Sequence, residues 1–133
     1  MRVLVFLLGL WMAGTSALAQ DADAIEGVIE NQLEAFNNRD ISEAWRYASP
    51  NIKRLFGSPD TFGMMVQKGY PMVWDNADVQ FLELRDLRGT LWQKVMVRDA
   101  RGGLHVLDYQ MVETADGWQI NGVQLLPAPD VGA

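Results

Sequence analysis

The sequence predicts an α+β domain with N-terminal helices packed on one face of an antiparallel sheet of about four strands. Three observations carry this. Apolar residues recur at helical spacing as far as Gly69. Past Tyr70-Pro71 the apolar period shortens to that of strands. Turn-forming, glycine-bearing segments then separate four such runs.

The first helix is capped by Asp21 or Asp23 and runs to about Phe36, with Ile25, Val28, Ile29, Leu33 and Phe36 on one stripe. Asn37 and Asn38 end it. Asp40 followed three residues later by Glu43 reads as a capping box, opening a short helix with Ala44, Trp45, Tyr47 and Ala48. Ser49-Pro50 places a cap before a proline at the first helical position. The turn through Ile52, Leu55 and Phe56 stops at Gly57. Ser58-Pro59 repeats the device for a helix with Phe62, Met65 and Val66 that stops near Gly69.

Four strands follow: Val79 to Arg85, Leu91 to Arg98, Leu104 to Glu113 and Trp118 to Leu126. Leu87 to Thr90, Ala100 to Gly103 and Ala115-Asp116-Gly117 supply the turns. In the third strand Leu107, Tyr109 and Met111 share one face, the more apolar, which should meet the helices. Val106, Asp108 and Gln110 share the other. Trp118 and Ile120 offer the apolar face of the fourth strand, where Gly122 marks a bulge. The tail from Pro127 is loose.

Ahead of this domain stands a targeting segment. Arg2 precedes an apolar run from Val3 to Ala13, and Ala17-Leu18-Ala19 places small residues where a signal peptidase reads. The run of about 11 residues is short of the roughly 20 that span a bilayer. Residues 1–19 are therefore expected to be cleaved after Ala19, leaving one domain over 20–126 and a tail over 127–133. No membrane span is expected after cleavage. With no cysteine, the exported domain has neither a disulfide nor a lipid-anchored junction, and it must fold on its core alone.

The net charge is −6, and the basic residues are scattered among acidic ones. Nucleic acid binding needs clustered Lys and Arg, so nucleic acid is not an expected partner. A single histidine and no cysteine argue against zinc. A Gly-x-Ser-x-Gly elbow and a phosphate-binding loop are both lacking.

Several segments together resemble a known family. These are Gln32-Leu33-Glu34-Ala35-Phe36, Ala48-Ser49-Pro50, Gly69-Tyr70-Pro71-Met72-Val73-Trp74, Asp108-Tyr109-Gln110-Met111 and Asp116-Gly117-Trp118-Gln119-Ile120-Asn121-Gly122. In this order and spacing, over about Ile25 to Leu126, the chain resembles an exported bacterial domain-of-unknown-function family, number 4864. That family resembles the nuclear-transport-factor-2-like, or SnoaL-like, superfamily. The resemblance implies a curved sheet wrapped around helices, a cystatin-like roll with a conical cavity. It implies no activity, since one fold hosts many functions. It also points to a Gram-negative envelope, so the periplasm is the expected location and open secretion the alternative.

Given a cavity, Tyr70, Trp74, Trp92 and Tyr109 are the expected ligand-lining residues, because pockets are apolar with a few polar tips. Gln110 and Asn121 are lesser candidates for polar contacts. Asp108 is the best acid–base candidate, with Tyr109 or Tyr70 beside it, but alternation assigns it to the polar face and a solvated or structural role. In the superfamily's isomerases a first-helix tyrosine shares the cavity, and this first helix has none. His105, at a strand start, should be exposed. Asp75, Asn76 and Asp78 form an acidic loop without the ligand pattern of a calcium hand. No catalytic residue, metal or cofactor is predicted. The expected function is an exported module that binds a small apolar ligand or an envelope protein. The alternative is a SnoaL-like or ketosteroid-isomerase-like enzyme using the strand carboxylate, and a homodimer through the sheet is a further expectation.

Overall fold

The computed structural model describes residues 17–127. Most of the expected signal segment and of the tail lies outside the described residues. Five helices precede four strands: α1 Ala17–Asn37, α2 Ile41–Arg46, α3 Pro50–Phe56, α4 Pro59–Gly69, α5 Pro71–Trp74, then β1 Asn76–Leu87, β2 Thr90–Asp99, β3 Leu104–Thr114 and β4 Gly117–Leu126. The strands form an antiparallel meander in the order β1-β2-β3-β4, with the helices on one face. The predicted fold class is the observed one.

α1 starts upstream of its expected caps. Asp21 and Asp23 lie inside the helix, because Ala17-Leu18-Ala19-Gln20 are good helix formers and continue it. Its core side is Ile25, Ile29, Gln32, Leu33, Ala35 and Phe36, a spacing of three and four that keeps one stripe on the sheet. Burying each of the large apolar members contributes roughly 1.5–3 kcal/mol.

The short helices owe their ends to local chemistry. Asp40 accepts from the Glu43 N–H at 3.2 Å, but the capping box is only half made. The Asp40 N–H donates to Ala35 O at 2.9 Å, and the Glu43 carboxylate accepts from Arg46 and Tyr47 instead. Ser49 and Ser58 cap α3 and α4, each ahead of a proline, as expected. Gly57 ends α3 with φ +81°, a left-handed conformation that suits glycine.

The sheet is sided as its sequence implies. Leu107 and Tyr109 are fully buried and Met111 nearly so, facing the helices. Their partners Val95, Gln93 and Leu91 continue the same inner face on β2. β1 is longer than expected and takes in Asn76 and Asp78, so only Asp75 of the expected acidic loop stays outside the strand. Asn76 pairs with Asp99 on β2. It donates to Leu33 O and Val73 O at 3.0 and 2.8 Å and accepts from Asn37, which ties the start of β1 to α1 and α5. The β3–β4 register shifts between Gln110 and Met111, whose partners are Gly122 and Ile120. The extra residue of that bulge is therefore Asn121, one before the glycine expected to mark it.

The outer edge of β4 is partly covered. The Ser49 N–H donates to Ile120 O and the Ile120 N–H to Tyr47 O, both at 2.8 Å. This short parallel bridge at Ala48 pins the α2–α3 junction to the sheet and satisfies backbone groups that an open edge would expose.

Candidate functional site

The helical layer and the sheet do not close completely. An apolar pocket of about 250 Å³ lies between α1, α3 and α4 on one side and β3 and β4 on the other. Its inner wall is Phe36, Phe62, Val66, Tyr109 and Ile120, all buried. Leu55, 72% exposed, marks the solvent end. None of the described residues lining it is charged.

The pocket exists because aromatic rings prop the helices apart. Phe62 meets Phe36 at 5.9 Å, Phe56 at 6.0 Å and Trp45 at 5.5 Å between centroids, in tilted or edge-on pairs. Such stacks are stiff, and α3 is held at its start by Ser49. That hydroxyl donates to Asn121 Oδ1 at 2.7 Å and accepts from the Ile52 N–H.

Polar groups at the pocket are few and mostly engaged. Tyr70 donates to Val123 O at 2.9 Å, and Gln32 Nε2 donates to Ala44 O at 3.1 Å. Tyr109 differs. Its hydroxyl is buried with no hydrogen-bond partner among the described residues. Burial pushes its pKa well up, with a smaller effect from neighbouring Tyr70, so it remains a neutral phenol. An unpaired buried hydroxyl costs roughly 1–3 kcal/mol.

Of the four expected lining residues, Tyr70 and Tyr109 border this pocket and Trp74 and Trp92 do not. Trp74 follows Val73 on the one-turn α5 and packs at 6.1 Å on Phe36. The Arg39 guanidinium lies 4.2 Å above its ring and donates to Trp74 O and Asp75. Trp74 thus belongs to a clasp between the α1–α2 turn and the start of β1. Trp92 pairs with Arg85 and Gln110 on the sheet face away from the helices. Its neighbours Leu91 and Gln93 took the inner positions, and a strand leaves no choice to the residue between them.

Asp108 shares the outer face with Trp92. It is 5% exposed, and Arg85 reaches it across β2 with two bonds, Nη1 to Oδ1 at 2.8 Å and Nη2 to Oδ2 at 2.7 Å. The carboxylate raises the guanidinium's pKa further. The acid–base candidate is structurally bonded and lies across the sheet from Tyr109. Gln110 and Asn121 bond to each other at 3.1 Å, and neither lines the pocket.

His105 is less exposed than its strand-start position suggests. It is half-buried, with Nε2 at 2.6 Å from Asp99. Asp99 also accepts from the Arg101 and Gly103 N–H groups at 2.9 Å, closing the β2–β3 turn. Asp75, Asn76 and Asp78 diverge to Arg39, the core and the Val79 N–H. Among the described residues no three His, Cys, Asp or Glu side chains gather as a metal-binding group. No described helix is long and apolar enough to cross a membrane.

Among the pocket residues that sequence reasoning missed are Gln32, Ile52, Leu55, Phe56, Met65 and Val123. One signal was present: Gln32 is a polar residue on the apolar stripe of α1, four before Phe36. The others read as ordinary core positions, since a pocket wall and a packed core use the same residue types.

The fold and pocket define a class: a small α+β protein whose helices stand on one face of a four-stranded antiparallel meander over an uncharged cavity. The family described as Domain of unknown function (DUF4864) matches residues 18–133, and the chain belongs to that family. Comparison with curated proteins and with solved structures found no match.

Proposed function

We propose that this protein is an exported small-ligand-binding module whose site is the pocket between α1, α3, α4, β3 and β4. The observation that carries this is an uncharged apolar cavity beside a packed aromatic wall, with one buried phenol unpaired among the described residues. A core selected for stability alone would close such a space, because voids lose dispersion contacts on every side. The cavity also accords with the conical cavity of the nuclear-transport-factor-2-like fold, and membership of that superfamily is part of this reading.

Binding is favoured over an isomerase-like reaction. The carboxylate such chemistry would use, Asp108, is held by Arg85 and is separated from the pocket by the sheet. Among the described residues the pocket wall offers apolar surface and a few amide and hydroxyl groups, but no carboxylate, imidazole, amine or guanidinium.

Export to the periplasm is the second part of the proposal, supported by the order of charge, apolar run and small residues over 1–19. The mass of protein recovered from the periplasm of a Gram-negative host tests it: loss of residues 1–19 is expected, and a full-length cytoplasmic product would refute it. A thermal-shift screen of neutral apolar compounds tests the pocket. Ligands that fill it should raise Tm in proportion to concentration over Kd. A flat response across compounds of fitting size would remove the proposal's support.

A further inference from the structure

Resting on the pocket reading above, we infer that the ligand is a single-chain anionic amphiphile. Its alkyl chain fills the pocket, and its carboxylate, or another small anionic head, stays at the mouth against Arg54 and Lys68.

The chain follows from the cavity. A volume of about 250 Å³ equals roughly eight water volumes, room for one alkyl chain on the order of eight carbons and not for two. The wall is apolar and, among the described residues, uncharged, so a charged head has no counter-ion inside and remains in water. Apolar surface also continues past the mouth. Of the large apolar side chains left exposed among the described residues, Leu55, Met64 and Leu125 stand on α3, α4 and β4. Leu125 shares the helix-side face of β4 with Val123 of the pocket wall.

The sign of the head follows from the two helices at the mouth. α3 and α4 carry Lys53, Arg54 and Lys68 against Asp60 alone, in a chain whose net charge is −6. Lys68 is one turn past both Met64 and Met65, so it stands on the helix side that joins the exposed surface to the pocket wall. Arg54 Nη2 donates to Asn51 Oδ1 at 3.1 Å, and Asn51 is one turn before Leu55. That bond keeps the guanidinium on the Leu55 side of α3. Lys53 is turned away, over the Trp45 ring at 5.9 Å. Arg39, Arg46, Arg85 and Lys94 each meet a carboxylate, whereas neither Arg54 nor Lys68 does among the described residues. Two cations without counter-ions, beside an apolar opening in an acidic protein, complement an anionic head on an apolar chain.

Isothermal titration calorimetry at low salt compares nonanoate, 1-nonanol and nonylammonium on the wild-type protein and on the double variant Arg54→Gln, Lys68→Gln. Wild type should bind nonanoate about three- to tenfold more tightly than nonanol, and nonylammonium most weakly. Added salt should erase that preference. The double variant should bind nonanol as wild type does, lose the preference for nonanoate, and keep its Tm, since both side chains are exposed. Should it melt lower, Lys68→Gln alone provides the same comparison. Equal nonanoate and nonanol affinity in wild type, or a preference that survives the substitutions, overturns the inference and leaves the pocket reading standing. So does tightest binding of nonylammonium. Pelleting with phosphatidylglycerol vesicles that the double substitution abolishes, with nonanoate bound no better than nonanol, also overturns it and assigns the cations to a membrane surface. If none of the three compounds binds either protein, the pocket reading fails with it.

Discussion

Arg85 on β1 grips Asp108 on β3 with two hydrogen bonds, 2.8 and 2.7 Å, over the top of the strand between them. The pair spans three strands on the sheet face that none of the described helices covers. Its neighbours, Trp92 beside Arg85 in register and Lys94 and Gln124 beside Asp108, leave the carboxylate side chain 8% exposed. Bidentate geometry and this degree of burial set it apart from ordinary surface ion pairs.

Asp108→Ala should therefore destabilise the protein by about 1–3 kcal/mol, since it strands a guanidinium that is largely out of water. Ligand affinity should not change, because the pair is on the far side of the sheet from the pocket. Urea denaturation alongside binding of any ligand found in the thermal-shift screen reads both effects. A loss of binding at unchanged stability would give Asp108 a functional role instead.

Asn76 ties β1 to α1 and α5 through one amide: to Leu33 O and Asn37 on α1 and to Val73 O on α5. Asn76→Ala removes both donors and leaves two carbonyls short of a partner. A loss of about 2–4 kcal/mol is expected. Asn76→Asp should be comparably harmful, since it exchanges donor N–H groups for a buried charge facing two carbonyl oxygens. Equilibrium unfolding of both variants checks this. Near-wild-type stability would mean that water replaces the amide.

The Asp99 carboxylate sits below its usual pKa, first because His105 bonds to it and then because the Gly103 and Arg101 N–H groups do. A carboxylate depressed in the folded state stabilises it fully above the unfolded pKa, near 3.9, and that contribution is lost as pH falls through the lower folded value. Asp99→Asn should thus lower Tm above about pH 5, with the gap to wild type narrowing as pH falls below about 4. Melting curves across that range measure it. A gap that stays constant with pH would detach the effect from the carboxylate's ionisation.

Leu55 is exposed yet borders the pocket. Leu55→Ser should change stability by no more than about 0.5 kcal/mol, as surface substitutions do. It should weaken apolar ligands severalfold by wetting the entrance. Unfolding and binding measured on the same preparation separate the two. Unaltered affinity would move the entrance elsewhere.

Much of this architecture is written locally. The stripe Ile25, Ile29, Leu33, Phe36, the Ser-Pro caps at 49 and 58, Gly57, and the Asp116-Gly117 turn each act over a few residues, so their sequence suffices to read them. Alternation likewise assigned Tyr109 inward and Asp108 outward before any partner strand was known. Even here the competition between neighbours mattered: Ala17 to Gln20 carried α1 past the caps at Asp21 and Asp23, and Glu43 preferred Tyr47 to its own helix start.

What only the tertiary structure decided is whatever depends on residues far apart in the chain. That Arg85 would be the partner of Asp108, and Ser49 that of Asn121, follows from register and from the bridge at Ala48, which no local pattern encodes. The pocket is of the same kind. Its wall draws on α1, α3, α4, β3 and β4, and whether those apolar surfaces meet or stand apart is settled by aromatic packing around Phe62. Sequence by itself determined an α+β domain with apolar inner faces, because periodicity and caps are short-range. Three-dimensional packing alone determined that those faces leave a cavity and that Tyr70 and Tyr109, not Trp74 and Trp92, border it.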